Sequence, residues 1–149
     1  MTTERAGSNN QERVRAVIGA WIDALRSKNA AGVVRHHAPG FVEFSLAPPL
    51  VSTAADIAGL EAWFAGWKGA LEYEIRNLDI TAGDDVAFCH GLTRLRGTGV
   101  DGTTSDLWFR QTLCFRRLAG DWKLTHSHES VPFYMDGSFK AAVDLEPSS

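Results

Sequence analysis

The chain has 149 residues, of which 44% are hydrophobic and 22% charged, a composition typical of one globular domain with a buried core. Its formal net charge of -3 offers no basic surface for DNA or RNA, and no apolar run reaches the roughly 20 residues of a membrane span. The first residues lack the basic and apolar regions of a secretion signal, so a cytoplasmic location is expected. Cys89 and Cys114 lie in separate strand-like runs, which indicates reduced thiols rather than a disulfide or a zinc knuckle.

A helical pattern dominates the first part of the chain. Residues 1–10 are mostly polar and are predicted to form a flexible leader. Near its end, Asn9 and Glu12 have the spacing of a capping box, and apolar residues then recur every three or four positions as far as Leu25. This spacing predicts an amphipathic helix with one apolar stripe.

Two shorter helices and a strand are predicted next. Asn29 is expected to cap a helix that ends ahead of the following proline, because proline disfavours helix in the residue before it. Residues 41–46 have the pattern of a strand. Thr53 and Asp56 then supply a second cap signal, for a helix with an apolar stripe that ends near Gly69.

The pattern changes in the second half, where long runs rich in β-branched and aromatic residues are separated by turn residues. They predict four consecutive strands in an antiparallel meander, over residues 71–80, 85–96, 105–117 and 121–131. Helices first and a sheet afterwards indicate an α+β fold, with the helices on one face of a mainly antiparallel sheet. A single domain over residues 11–146 is expected, with a short helix before a tail at 147–149.

The connection between the last two strands decides which side chains share a face. With residues 118–120 as a three-residue loop, His128 lies opposite Arg110 and His126 opposite Thr112. One face then carries a mixture typical of a pocket wall, namely Trp108, Arg110, Thr112, Trp122, Leu124, His126 and His128. The opposite face of the first strand is too apolar for solvent, which predicts a sheet-to-sheet dimer. Its side chains are Leu107, Phe109, Leu113 and Phe115.

Several stretches together resemble a known family. They are VRAVIGAWIDALRSKNAAGV, GLEAWFAGW, GDDVAFCHGLTRLRGTG, RQTLCFRRLAGDWKLTHSHESVPF and the closing SVPFYMDGSFKAAVDLEP. Over nearly the whole chain they resemble the SnoaL-like, or ketosteroid-isomerase-homologue, branch of the nuclear-transport-factor-2-like superfamily. The resemblance implies a cone-shaped α+β barrel that encloses a small-molecule pocket, in a homodimer built on the outer face of the sheet. It leaves the function open, because a fold does not fix a chemistry.

His126 and His128 are the candidate acid and base, because histidine gives and takes protons near neutral pH; a hydrogen-bonded core pair is the alternative. Arg110 is expected either to assist them by holding a ligand oxygen or to pair with a buried carboxylate. A metal site would need a third ligand such as His90, and HxH spacing is common by chance, so no metal is predicted. The predicted ligand-binding residues are Trp108, Thr112, His90, Tyr134, Trp63 and Asp106.

Two classes of function are consistent with these residues. The first is an isomerase, dehydratase or cyclase that needs no cofactor and moves protons on a hydrophobic carbonyl compound. The second is a non-catalytic module that binds such a ligand or forms a dimer. A carboxylate base inside the pocket would separate the two classes, and Glu43 and Asp106 are the candidates. Relatives in the family often carry an acid after the SVPF stretch, where this chain has Tyr134.

Overall fold

The computed structural model describes residues 2–53 and 57–148, so the predicted cap residue Asp56 lies outside the described residues. The elements are, in chain order, α1 (Thr2–Arg26), α2 (Ala30–Val34), β1 (His37–Phe44), α3 (Ile57–Ala65), β2 (Trp67–Ala82), β3 (Val86–Gly99), β4 (Thr104–Leu118) and β5 (Asp121–Ser130). The helices and one strand come first and four long strands follow, which confirms the predicted α+β class.

One five-stranded sheet forms the body of the fold, in the order β1-β5-β4-β3-β2. Strands β2 to β5 pair antiparallel with their neighbours in sequence, which confirms the meander, and β1 joins the edge beside β5 in parallel. The helices pack against one face of the curved sheet, and α1 contacts mainly β2. The core between them includes the buried side chains of Ile18, Trp21, Phe115 and Leu124.

Helix α1 begins at Thr2, so the start predicted from a capping box at Asn9 is wrong. The polar residues near that position contact the sheet instead of capping the helix. The side-chain amide of Asn10 donates to the carbonyl oxygen of Gly83 at 3.0 Å, just beyond the end of β2. Residues 2–10, predicted as a leader, therefore form the first part of α1.

The next two helices follow the predicted signals more closely. Asn29 has extended backbone geometry, and its side-chain oxygen accepts the Gly32 N–H at 3.0 Å, which confirms the predicted cap of α2. Helix α3 ends at Ala65, earlier than expected, and Trp67 already belongs to β2. From the strand, Trp67 packs edge-to-face on Trp63 of α3, with ring centroids 5.9 Å apart.

The short helix predicted before the C-terminal tail is absent from the described residues, which end at position 148. Local turn chemistry replaces it. The Asp136 carboxylate accepts the Ser138 N–H at 2.9 Å, and Phe139 has a positive φ of 54°, which no α-helix contains.

The β4–β5 hairpin also differs from its predicted register. Ala119 and Gly120 alone form the turn, with φ of 51° and 87°, and two positive φ values are what the common two-residue hairpin turn requires. Leu118 pairs with Asp121 instead of lying in the loop. The predicted pairs are therefore displaced along the strand, and His128 lies opposite Thr112.

A β-bulge at Thr125 reverses the alternation of side chains along β5, because one extra residue shifts the pairing with β4 at this point. Before the bulge Leu124 points into the core, and after it Ser127 and Glu129 point to the same inner face. His126 is directed to the outer face. The prediction that Leu124 and His126 share a face is therefore wrong.

Candidate functional site

A cavity of about 520 Å³ lies between the helices and the inner face of the sheet. Small-molecule sites in proteins commonly have volumes of roughly 300–1,000 Å³ and mainly apolar walls. The aromatic side chains that line this cavity are Trp21, Phe41, Trp63, Trp67, Tyr73 and Phe109. Its size and lining are those of a site for a small hydrophobic molecule.

Two glutamates provide the acidic groups of the cavity. Glu43 lies on β1, on the same face as Phe41, and Glu129 lies on the neighbouring strand β5. Glu43 pairs with Ser127, which lies two positions before Glu129. The two carboxyl groups therefore project from the same face of the sheet, on neighbouring strands and two residues apart in register. Glu43 is among the predicted candidate bases, whereas Glu129 is not.

The two carboxyl groups differ in proton affinity. Burial and then the negative charge of Glu43 raise the pKa of Glu129 to about 8, although a hydrogen bond from the Leu46 backbone opposes the rise. Burial also raises the pKa of Glu43, but less strongly. Of the two carboxyl groups, Glu129 therefore holds a proton more tightly and keeps it near neutral pH.

His37 is the histidine that reaches the cavity. Its Nε2 accepts the Trp21 indole N–H at 3.3 Å, and its ring stacks on Phe41 with centroids 3.9 Å apart. Burial, and then the neighbouring His36, lower the pKa of His37 to about 4. The imidazole is therefore neutral at pH 7 and adds no positive charge to the cavity.

A buried polar network lies opposite Glu129 on the sheet. Gln111 lies directly opposite Glu129 on β4, and its Oε1 accepts from the Thr93 hydroxyl at 2.8 Å and from the Tyr73 hydroxyl at 3.2 Å. The Gln111 amide donates to the Ser127 hydroxyl at 3.5 Å. Burial raises the pKa of Tyr73 well above its usual range, so its hydroxyl keeps the proton it donates. These bonds fix Gln111 beside the carboxyl group.

The predicted catalytic residues lie on the other side of the sheet. His126 Nδ1 is 2.7 Å from the Val42 carbonyl oxygen, and the Phe44 ring packs against both His126 and His128. The Arg110 side chain is exposed and donates to the Ser130 hydroxyl at 3.1 Å. The residues that lie on this outer face, away from the cavity lining, are His126, His128, Arg110, Trp108, Thr112 and His90.

The placement of these residues in a pocket wall is wrong because the helices cover the opposite face. On β4 that inner face carries Phe109, Leu113 and Phe115, each no more than 3% exposed. The apolar run assigned to a dimer interface is thus part of the core.

Three further predicted site residues have different outcomes. Asp106 lies on the outer face, outside the cavity lining, and both its oxygens accept from Arg94 at 2.8 Å. Tyr134 is in the C-terminal segment and donates to Asp144 at 2.5 Å, outside the cavity lining. Trp63 does line the cavity and is 41% exposed.

Neither a metal cluster nor a membrane helix is found in the part of the chain that the structure describes. Over residues 2–53 and 57–148, no three side chains of His, Cys, Asp or Glu are grouped so that they could hold a metal ion. No helix of the same residues is both long enough and apolar enough to cross a bilayer.

Helices packed on a curved, mainly antiparallel sheet, with a cavity between them, define a domain of the nuclear-transport-factor-2-like (NTF2-like) fold. The model of the SnoaL-like domain matches residues 14–134, and the chain belongs to this family. The predicted family and fold are thus confirmed. No match was found among curated proteins.

Three solved structures illustrate the likeness. An NTF2-like protein of unknown function from Pseudomonas putida is 27% identical, with a TM-score of 0.83 over 94% of this chain and 98% of its own. A ketosteroid isomerase-like protein from Erwinia carotovora atroseptica is 18% identical, with a TM-score of 0.68 over 81% and 95%. The association domain of CaMKII from C. elegans is 14% identical, with a TM-score of 0.66 over 83% and 97%. The last two identities support the fold alone.

Proposed function

We propose that the protein binds a hydrophobic, carbonyl-bearing small molecule in the cavity and catalyses a proton transfer on it. The observation that carries this proposal is the pair of carboxyl groups, Glu43 and Glu129, whose different proton affinities occur in one mainly apolar cavity. Two acids held at different pKa values in one site are the usual arrangement for an acid and a base that act together. The ketosteroid isomerase-like relative agrees with chemistry of this type.

Each carboxyl group has a definite role. Ionised Glu43 removes a proton from the carbon beside the carbonyl group, and the electron pair of that C–H bond moves to form an enolate. Protonated Glu129 donates a hydrogen bond to the enolate oxygen. Gln111, held by its buried partners, lies opposite Glu129 on β4 and limits the positions that the glutamate side chain can take. Return of the proton from Glu43 to another carbon gives the isomer and regenerates both groups, so no oxidant, reductant or cofactor is consumed.

Proton exchange with solvent tests this role directly. The protein would be incubated with a panel of ketones and enones in D₂O, and deuterium at the carbon beside the carbonyl would be measured by mass spectrometry. We expect Glu43→Gln to reduce exchange by about 10²-fold or more and Glu129→Gln to reduce it as well. Glu61→Gln, an exposed change on α3, is the matched control and should have no effect.

The outcomes separate the two classes of function. Exchange that persists undiminished in both cavity variants would refute the assigned roles. Binding of the ligands with no exchange in the wild-type protein would instead support a non-catalytic binding module.

We also propose that two copies of the chain pair through the outer face of the sheet. This face carries large side chains at the surface, such as Phe88, which is 49% exposed. The Arg76 guanidinium stacks over the ring of Trp108, with its carbon 4.7 Å from the ring centroid. Stacked aromatic and arginine side chains are enriched in protein interfaces. A structural relative that is an association domain agrees with assembly through such a fold.

Light scattering coupled to size-exclusion chromatography tests this assembly. Phe88→Glu places a charge on the outer face and is expected to give a monomer where the wild-type chain gives a dimer. Phe139→Glu is the matched control, because Phe139 is 67% exposed but lies in the C-terminal segment. A wild-type monomer at all concentrations, or a dimeric Phe88→Glu variant, would contradict the proposal.

A further inference from the structure

The charged side chains that line the cavity are of one sign. Among the residues that the structure describes, the lining contains the carboxyl groups of Glu43 and Glu129 but no lysine or arginine. The imidazole of His37 in the wall is neutral at pH 7 because burial lowers its pKa. A ligand with a carboxylate or phosphate group would find no partner here and would face repulsion that is strong away from water.

Basic side chains do approach the same strands, where they donate to backbone carbonyl oxygens. Arg26 Nε donates to the Tyr73 carbonyl oxygen at 2.8 Å, and Lys28 Nζ donates to that of Trp67 at 3.0 Å. Lys123, which lies near His36, donates to a backbone carbonyl of the α2–β1 connection at 2.7 Å. None of these cations is among the residues that line the cavity.

The apolar part of the cavity is suited to a positive charge. Trp63 and Trp67 pack edge-to-face with ring centroids 5.9 Å apart, and Tyr73 and Phe109 add two more rings, with centroids 6.4 Å apart. The faces of aromatic rings attract cations, and tryptophan does so most strongly. Several rings beside two acids form a lining that stabilises an organic cation without a hydrogen bond to its nitrogen.

We propose that the ligand of this cavity carries, besides its carbonyl group, a positively charged nitrogen, so that its class is that of hydrophobic amino-carbonyl compounds. This inference rests on the cavity of the proposed function, and it concerns which molecules the cavity selects rather than which bond reacts.

Binding of such a cation is linked to the proton on Glu129. A positive charge in the cavity lowers the proton affinity of both carboxyl groups, so the cation binds most tightly to molecules in which Glu129 is ionised, whereas the proposed reaction uses those that keep its proton. Because the pKa of Glu129 is about 8 in the free protein, affinity for a cation should rise as the pH increases from 6 to 9. His37, with a pKa of about 4, does not change its charge over this range.

A set of three probes of similar size separates charge from shape. Benzoylcholine has an aromatic ring, a carbonyl group and a nitrogen that is charged at every pH. The benzoate ester of 3,3-dimethylbutanol is its uncharged isostere, and hippurate supplies a negative charge. Dissociation constants would be measured by quenching of tryptophan fluorescence at pH 6 and pH 9, since Trp63 and Trp67 lie in the cavity wall.

At pH 9 we expect benzoylcholine to bind about tenfold or more tightly than its uncharged isostere, and hippurate to bind most weakly. The preference should shrink at pH 6. Glu129→Gln should remove most of this pH dependence, Glu43→Gln should reduce the preference at pH 9, and Glu61→Gln should change neither the preference nor its pH dependence. Circular dichroism of each variant would confirm that it is folded.

Equal affinity for the charged and uncharged probes at pH 9, or binding of hippurate as tight as that of benzoylcholine, would overturn the inference. The outcome is independent of turnover. A cation preference without any deuterium exchange would leave this inference intact and remove the proposed reaction. Exchange on uncharged ketones with no cation preference would support the proposed reaction and overturn this inference.

Discussion

Replacement of Glu129 by glutamine should make the protein more stable at alkaline pH. The substitution keeps the size of the side chain and removes only its ability to ionise. In the folded protein the pKa of Glu129 is raised from its ordinary 4.5 to about 8. A carboxyl group with a raised pKa holds its proton more tightly in the folded than in the unfolded state, so folding is increasingly disfavoured as the pH rises from about 4.5 to about 8.

The size of the effect follows from the same two values. At about 1.4 kcal/mol for each tenfold change in proton affinity, a rise from 4.5 to about 8 sets a ceiling on the order of 5 kcal/mol. Water reaches Glu129 through the open cavity, and Glu43 shares the proton, so the realised effect should be on the order of 1–3 kcal/mol.

Urea unfolding of the wild-type protein and the Glu129→Gln variant from pH 5 to pH 9 measures this effect. The free energy of unfolding of the variant, relative to the wild type, should rise across this range and level off above pH 8. Glu61→Gln should give a difference that does not change with pH. If the Glu129→Gln difference is also constant, or falls with pH, the carboxyl group is not held protonated by the fold.

Other predictions concern stability and can be measured by urea unfolding at pH 7. Leu124→Ala should cost about 2–5 kcal/mol because the side chain is 0% exposed, and a loss below 1 kcal/mol would place it outside the core. Asn29→Ala should cost about 1 kcal/mol by removing the cap of α2, whereas an unchanged midpoint would mean that the cap contributes nothing. Gly91→Ala should cost roughly 1–3 kcal/mol, because the new Cβ would lie 2.6 Å from a methyl carbon of Ile75. Gly19→Ala, on the open face of α1, should stabilise the protein by about 0.5–1 kcal/mol. Equal effects of the two glycine changes would contradict the close approach.

The regular spacing of apolar residues along the sequence was sufficient to predict most of the fold. The helical stripe that ends near Leu25 and the long β-branched runs of the meander each recur several times, so small local errors do not alter the class. Helix starts were harder to predict because tertiary contacts override local signals. Asn10, for example, reads as a polar leader residue, yet it bonds to a carbonyl oxygen far along the chain.

The candidate site could not be placed from the sequence because it depends on which face the helices cover. Alternation along β4 separates Phe109 and Leu113 from Trp108 and Arg110, but both sets contain large side chains. One signal was available: the more uniformly apolar set belongs to the side that must be kept from water. If the side chains of β5 had been assigned to faces by their pairing with that apolar set on β4, Glu129, and not His128, would have been placed in the cavity.

The bulge at Thr125 means that one residue determines the chemical character of the cavity. Even-numbered residues of β5 face inward before the bulge, and odd-numbered residues face inward after it. Beyond the bulge, the imidazoles therefore lie on the outer face and the carboxyl group of Glu129 on the inner face. If Thr125 paired regularly with β4, the imidazoles of His126 and His128 would face inward and Glu129 outward. Deletion of Thr125 would instead straighten the strand and leave Glu129 in the cavity. Within this fold, an acidic cavity and an imidazole-lined one therefore differ by a shift of one residue in the pairing of β5 with β4.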